Sequence, residues 1–600
     1  MGKTIIQKIF QNHSNQEAEE GTIVNIAIDA RAARDFGGAN VVKNLKEHNL
    51  TIDDPNKTFF TFDCNPGGSD QKYAANQHIC RQYARTHHVP IYDITSGIGT
   101  HLAIEKGLIK PGGTFVSTDS HANIMGAIGA FGQGMGDRDI ASVFAHGKIW
   151  FKVPPTIKII LKGSPQKITT PKDIVLKMAQ QLGANGLLGY AAEIYGDYID
   201  TLPLSGRITI ASMTTEMGGI IMLFPPNQHV LEFYQKMNIA ADPIKADPDA
   251  SYAKTLEIDI SNLGPQLSRP GHPEDVIDLS DVQGNPIDSG FIGSCTNGRL
   301  EDLRIAAEVL KGHTVAPGRI LKIVPATNDI WKQALDEGLI TIFKEAGALV
   351  GNAGCAGCAA GQIGQTGPGE IAISTGNRNF VGKQGKGDIY LASPAIVAAS
   401  LIAGHITTPD NLPSSPSPPQ QPKQSEEAIL HTETPSNSPL AVEGKAWIIK
   451  KDNIDTDMIY HNRYLTITNI EEMGQYTFDN LPGYEDFSKK AQPGDIVITG
   501  KNFGCGSSRQ QAVDCFKSIG IILLIAESFG SIYERNAINS AMPILTGDLT
   551  TTIDDGDHLK VDLTAGTITN TTKNTTHQIN GFSEVQKDIY LRGDLLNKEA

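Results

Sequence analysis

Residues 293–312, GSCTNGRLEDLRIAAEVLKG, and residues 351–364, GNAGCAGCAAGQIG, hold three cysteines in two turn-forming loops. Cys295 stands at the end of an apolar run, in a turn with Gly293 and Ser294. An amphipathic pattern then predicts a helix from near Leu300. Further on, Cys355 and Cys358 form a Cys-x-x-Cys loop among glycine and alanine, residues small enough to let a bulky inorganic group come close. A strand that ends in a ligand-presenting turn and leads into a helix is the unit of a layered α/β domain.

Cys-x-x-Cys also serves zinc and redox sites, so spacing alone does not choose among them. A structural zinc site wants a fourth Cys or His nearby, and neither loop supplies one. A [4Fe–4S] cluster on three thiolates keeps one iron open, and an open iron is a Lewis acid toward a hydroxyl and a carboxylate. Three unrelated buried thiols remain the plain alternative, a poor one for cysteines in polar, glycine-rich turns. The full set of seven, Cys64, Cys80, Cys295, Cys355, Cys358, Cys505 and Cys515, is odd in number and too sparse for a disulfide framework in 600 residues.

A chain of 600 residues should divide into several domains, and its 61 glycines suit an α/β enzyme with many tight turns. The formal charge of −15 argues against a nucleic-acid partner and leaves an anionic substrate dependent on locally placed Arg and Lys. No apolar run approaches the ~20 residues that span a bilayer, and MGKTIIQKIFQNH lacks a signal-peptide core, so the expected compartment is the cytoplasm. One composition break stands out: residues 406–440 are rich in Pro, Ser and Gln and are expected to be a linker. It separates a large region, 1–405, from a smaller one, 441–600.

In the large region, β-rich runs alternate with helical patterns: TIVNIAI then KNLKEHNL, TFFTFD then a helix around Gln71 to His88, KIIL then KDIVLKMAQQL. In the smaller region AWIIK, DIVITG and IILLIA predict buried strands, with helices expected over Ser508 to Ile519 and Gly530 to Ser540. Both regions are therefore expected to be α/β.

These motifs resemble the aconitase and isopropylmalate dehydratase superfamily, in the family's order over nearly the whole chain. TDSHANIMGAIGAFGQGMGD (118–137) is similar to its Asp-Ser-His signature, GSCTNGR and GNAGCAGC to its cluster cysteines, and STGNRNFVGK (374–383) to its substrate-clamping loop. Beyond the linker, DNIDTDMIYHNRYL (452–465) and GKNFGCGSSRQQA (500–512) resemble the small subunit of the isopropylmalate dehydratase and homoaconitase branch. The chain thus looks like large and small subunits fused. The resemblance implies three α/β/α domains around a cluster on Cys295, Cys355 and Cys358, plus a swivelling α/β domain. It implies Ser507 as the base at carbon, with Ser508 and Arg509 beside it, and a helix N-cap turn is the structural reading of the same Gly-Ser-Ser-Arg. Arg378, Arg509 and Arg463 fit carboxylate clamps, with Asn377, Ser120, Lys383 and Thr466 lining the substrate. His101, Asp119, His121 and Glu216 match the acid, base and hydroxyl-orienting positions, and Asp63 opens the family's Asp-His pair.

That pair reads Asp63-Cys64 here, placing a thiol where a histidine is expected to protonate the departing hydroxyl. With a reference pKa near 8.5 a thiol can still donate, less readily than imidazole; the acid role is expected to pass to His101 or to water at the iron. GIGTH carries an extra residue before His101, Lys383 replaces an Arg, and Ser212 stands where aconitase has Asn. The variable-side-chain segment Tyr464 to Ile467 carries no positive charge, which ranks 3-isopropylmalate or another 2-alkylmalate ahead of citrate or homocitrate. The expected activity is a redox-neutral hydro-lyase or isomerase acting on a small carboxylate, as a monomer or homo-oligomer. The rivals are a catalytically silent cluster-binding sensor and, from the glycine-rich GAIGAFGQGMGD, a dinucleotide site. The latter lacks the strand-turn-helix spacing and the later acidic ribose contact.

Overall fold

A computed structural model describes residues 2–67, 70–359, 362–413, 439–465 and 467–597. Most of the expected linker, 414–438, and Thr466 lie outside the described residues. The chain is α/β throughout and forms two compact units. The first draws on Met1–Phe36, Asp54–Gln133 and Lys148–Ser425, the second on Gly37–Asp53, Gly134–Gly147 and Glu426–Ala600.

Among the described residues the first unit holds a two-stranded antiparallel sheet, Ile23–Ala27 with Lys148–Lys152, and three larger sheets. One carries the parallel strands Ile91–Tyr92, Thr58–Thr61, Ala30–Arg34 and Thr114–Ser117, in that order across the sheet. A second, wholly parallel, runs Ile221–Leu223, Ala191–Tyr195, Thr156–Lys162, Lys254–Asp259. The third has seven strands, with Asp388–Leu391, Ile371–Ser374, Ser289–Ile292, Ile320–Ile323 and Leu349–Val350 parallel in that order. Strands buried on both faces read as continuous apolar runs. Helix Pro171–Leu182 inserts Ile174, Val175 and Met178 into a core shared with Ile157, Ile194 and Phe224, while Ile292, Ile323 and Ile373 pack against Leu303, Val397 and Leu401 in the seven-stranded layer.

In an open parallel sheet the loops past the strands' carboxyl ends are where a ligand can meet the backbone. Several of the residues singled out from sequence lie there. Asp63 and Cys64 follow Thr58–Thr61, Asp119 to His121 follow Thr114–Ser117, Cys295 follows Ser289–Ile292, and Asn377 and Arg378 follow Ile371–Ser374.

The second unit has one seven-stranded sheet that changes character along the strand Ala441–Ile449. Its residues 446–449 pair in parallel with Ile496–Thr499, while 441–445 pair antiparallel with His558–Asp562. Ile496–Thr499 and Leu523–Ala526 are buried throughout, whereas His558–Asp562 alternates exposed and buried, as expected of a meander with one wet face. Helices Gly38–Glu47 and Asp137–His146 belong to this unit. Asn40 Nδ2 donates to Asp137 Oδ2 at 2.8 Å, and Arg535 Nε and Asn539 both reach Asp139.

One local expectation changes. The helix after Gly-Ser-Ser-Arg spans Gln511–Ser518, its N-cap is Gln510, and no side chain caps it, so Ser507 and Ser508 are not its cap. Residues 507–509 are held off the helix by tertiary bonds: Thr456 Oγ1 donates to the Ser507 carbonyl at 2.9 Å, and Arg509 pairs with Asp457.

Candidate active site

Arg34 ends a fully buried strand and has nowhere to send its charge except into neighbouring carboxylates. Its Nε donates to Asp63 Oδ1 at 2.8 Å and its Nη1 reaches Asp119 Oδ1 at 3.1 Å. Asp63 is fixed further by Gly99 N–H on Oδ2 at 3.0 Å, and its carbonyl accepts the Cys355 N–H at 2.8 Å, tying this loop to the Cys-x-x-Cys turn. Burial pushes the Asp63 carboxyl up to about 6 against the pull of Arg34. Cys64 donates its N–H to Asp35 Oδ1 at 3.0 Å and its thiol faces Asp63 Oδ1 at 3.6 Å. Burial drives this thiol well above its usual range, so it stays protonated.

His101 is fully buried. Its Nε2 lies 2.9 Å from the Cys295 carbonyl and its Nδ1 lies 3.2 Å from Arg299 Nη1. Guanidinium only donates and a carbonyl only accepts, so Nδ1 is the acceptor and Nε2 carries the proton. Burial, with Arg299 adding to it, pushes His101 down to about 3. The ring is therefore neutral, with both nitrogens engaged; the expectation that it takes over the acid role finds no support in this geometry.

Asp119, His121, Glu216 and Arg378 form one buried chain. Asp119 Oδ1 accepts the His121 N–H at 3.0 Å, His121 Nε2 meets Glu216 Oε1 at 3.2 Å, and Arg378 Nε donates to the same oxygen at 2.6 Å. Asn377 Nδ2 donates to Glu216 Oε1 at 3.4 Å beside the His121 ring, and Ser120 Oγ lies 3.3 Å from His121 Nδ1. Burial opposes the charge on Glu216, but Arg378 and His121 outweigh it and hold the carboxyl low. For His121 burial is likewise outweighed, by Cys295 and Glu216, and the imidazolium is held up to about 10.

The three thiols belong to this neighbourhood. Cys295 and Cys355 are buried, and Cys358 lies one turn on, past Gly357 at φ +74°. A hydrogen bond from Cys355 holds the Cys358 thiol well below its usual value, helped by Lys383, Arg378 and His121. Three clustered thiols, one favouring thiolate among cations, are the donor set that an iron–sulfur cluster needs. Arg34 Nη2, Asp119 Oδ2 and Glu216 Oε2 are buried without a hydrogen-bond partner among the described residues, as expected where a polar ligand completes the site.

In the second unit Arg509 makes a two-pronged pair with Asp457: Nη1 with Oδ1, and Nη2 to Oδ2 at 2.7 Å. Arg509 Nη2 also reaches Ser507 Oγ at 3.4 Å. Gly506, at φ +94°, sits where a Cβ would collide with the buried Asp455 carboxylate, so only glycine fits before Ser507. Arg463 Nη2 donates to Asp479 Oδ2 at 2.8 Å and lies over the Tyr464 ring, whose hydroxyl donates to the same oxygen at 2.7 Å.

Comparison with known proteins decides the family. The family model described as aconitase family (aconitate hydratase) matches residues 7–286 and 280–404, and the aconitase C-terminal domain matches 431–547. The chain belongs to the aconitase family. This aconitase-family protein is 38% identical over 414 residues to 3-isopropylmalate dehydratase large subunit 1 of Methanopyrus kandleri, covering 68% of this chain and 99% of that one. It is 33% identical over 593 residues to the mitochondrial homoaconitase of Candida albicans, covering 90% and 86%. It is 38% identical over 415 residues to the homoaconitase large subunit of Thermus thermophilus, covering 69% and 98%. Relatives named dehydratase and homoaconitase make it a hydro-lyase, from a family that generally binds a [4Fe–4S] cluster. No described helix is long and apolar enough to cross a membrane.

Arg34, Lys172, Arg299 and Asp457 were not singled out from sequence, although Arg34, Arg299 and Asp457 each touch a residue that was, and Lys172 holds the turn just before Asn377 and Arg378. Arg299 and Asp457 lie inside quoted motifs, and that placement was the available signal. Arg34 lies in ARAAR, which carries no strand pattern, and Lys172 in a run whose pattern says only helix.

Proposed function

We propose that this hydro-lyase removes and returns water at a 2-hydroxy di- or tricarboxylic acid, and that Cys295, Cys355 and Cys358 would hold a [4Fe–4S] cluster at the site. We rank 3-isopropylmalate or another 2-alkylmalate ahead of citrate and homocitrate. The observation that carries the reading is the thiol set lying among Arg34, His121, Arg378 and Lys383, with polar atoms left buried for a ligand. When bound, the cluster supplies a Lewis-acidic iron that three thiolates leave open to hydroxyl and carboxylate.

Arg378, oriented through Nε by Glu216, binds a substrate carboxylate, with Lys383, Asn377 and Ser120 as further contacts. His121 holds a proton at Nε2 against Glu216 and is the group placed to pass it to the departing hydroxyl. His101 positions the Cys295 carbonyl, and Arg34 keeps Asp63 and Asp119 ionised and ordered. Cys64 fills the histidine position as a protonated, buried thiol. Ser507 takes the proton from carbon, its alkoxide favoured by the Arg509 guanidinium beside it, with Ser508 as a further contact.

The preference for an apolar substituent is supported by Arg463. Its charge is met by Asp479 and its plane lies on Tyr464, so the segment after it brings no cation for an extra carboxylate. The test is a panel of 3-isopropylmalate, citrate and homocitrate given to anaerobically prepared protein, followed by alkene absorbance. A kcat/KM at least about tenfold higher for 3-isopropylmalate is expected. Preference for homocitrate or citrate overturns the substrate, and silence on the whole panel with a full cluster overturns turnover.

A further inference from the structure

Lys172 is the second residue of helix Pro171–Leu182, and its side chain is fully enclosed. A cation there is opposed both by the helix dipole and by the loss of water. Its ammonium nevertheless has three acceptors for three protons: the Gly376 carbonyl at 2.5 Å, the Thr375 carbonyl at 3.3 Å and Met213 Sδ at 3.6 Å. None is a carboxylate. The adjacent Asp173 is committed to the backbone N–H groups of Thr170 and Gln266.

The two carbonyls belong to the turn that leaves strand Ile371–Ser374 and runs directly into Asn377 and Arg378. The same turn is bolted to the cysteine loop, because Thr375 Oγ1 accepts the Gly293 N–H at 2.9 Å and faces the Gly293 carbonyl at 3.1 Å. A carbonyl's direction fixes the peptide plane, and the plane fixes how the next residue leaves the chain. With the Gly376 carbonyl pinned inward, the 376–377 peptide cannot rotate, and Arg378 is delivered to Glu216.

We propose that Lys172 is a positioning residue for substrate binding: by holding the Thr375 and Gly376 carbonyls it sets the direction in which Asn377 and Arg378 meet the substrate carboxylate. An apolar side chain could fill the volume but not hold the carbonyls. This rests on the reading of Arg378 as a carboxylate clamp.

The experiment is a double-mutant cycle on the holoenzyme with 3-isopropylmalate, or with the acid of the panel turned over fastest. K172M is expected to raise KM about tenfold with kcat within about threefold, the signature of binding lost equally from ground and transition states. K172Q, which can donate to both carbonyls without charge, should recover KM to within about threefold of the parent. In an R378A background, K172M should add less than about twofold, because its effect passes through Arg378. An unchanged KM in folded K172M, or a full tenfold effect on top of R378A, overturns the inference. If R378A itself leaves KM unchanged, or no acid of the panel is turned over, the clamp reading fails first and takes this one with it. Should K172M not fold, K172A against R378A/K172A carries the comparison: an unchanged KM in K172A, or a KM rise that persists undiminished without Arg378, overturns the inference.

Discussion

Cys64 meets a carboxylate and a buried guanidinium network rather than water, and that environment decides what its thiol can do. Burial keeps it protonated far above neutral pH, and its thiol faces Asp63 Oδ1. A donor so reluctant should be dispensable: C64A is expected to keep kcat within about threefold, whereas a loss of about a hundredfold would make the thiol the acid. Arg34 behaves oppositely. Removing it strands Asp63 and Asp119 as uncompensated buried carboxylates, so R34M should lower stability by about 3–5 kcal/mol, measured by denaturant melting. The difference between these residues also marks how far sequence reading reaches. Cys295, Cys355 and Cys358 are legible because three thiols in glycine-rich turns have few other uses. Arg34 and Lys172 are illegible because a cation in a strand or a helix looks like a solvated face until its buried partners are known.

Among the elements, periodicity located the strands Thr58–Thr61, Ile496–Thr499 and Leu523–Ala526 and the helix Pro171–Leu182, because apolar burial drives both the pattern and the structure. Ala30–Arg34 escaped, its sequence ARAAR being too polar and alanine-rich to read as a strand, yet every residue is buried through pairing with Thr58–Thr61 and Thr114–Ser117. The turn at Gly506 yields a prediction at this scale: G506A combines φ +94° with a collision at Asp455, and should displace Ser507 and lower kcat more than KM, while costing about 1–3 kcal/mol of stability. A second concerns helix Ile5–Asn12, latched where His13 Nδ1 meets the Ile9 carbonyl at 2.7 Å and Nε2 meets Asp29 Oδ2 at 2.8 Å. Burial works against charge on both, but the mutual bond wins, raising His13 and lowering Asp29. The His13 contribution is therefore complete below its unfolded pKa near 6.5 and lost as pH rises through the raised folded value. The Asp29 contribution holds above about 3.9 and is lost as pH falls through its depressed value. Amide protection of this helix should peak between about pH 4 and 6.5 and fall on the alkaline side, and H13A should flatten that profile.

At the scale of the whole molecule, composition marked residues 406–440 as a break, but no local pattern reveals that helices Gly38–Glu47 and Asp137–His146 join the compact unit built from the C-terminal region. That membership rests on contacts such as Arg535 with Asp139, between residues far apart in the chain. The family follows from motifs spread over the full length, and the reaction class follows from the family. The substrate hangs on fewer residues, Arg463 with Asp479 and the segment that follows. The proposed function rests on a [4Fe–4S] cluster that Cys295, Cys355 and Cys358 would hold with one iron left open. It is tested most directly by the electron paramagnetic resonance spectrum of anaerobically purified, reduced protein, recorded with and without 3-isopropylmalate. A cubane [4Fe–4S] signal that shifts when the acid is added and disappears in C355S is expected. A colourless, silent protein carrying stoichiometric zinc, or a cubane signal that no hydroxy acid of the panel alters, would contradict it.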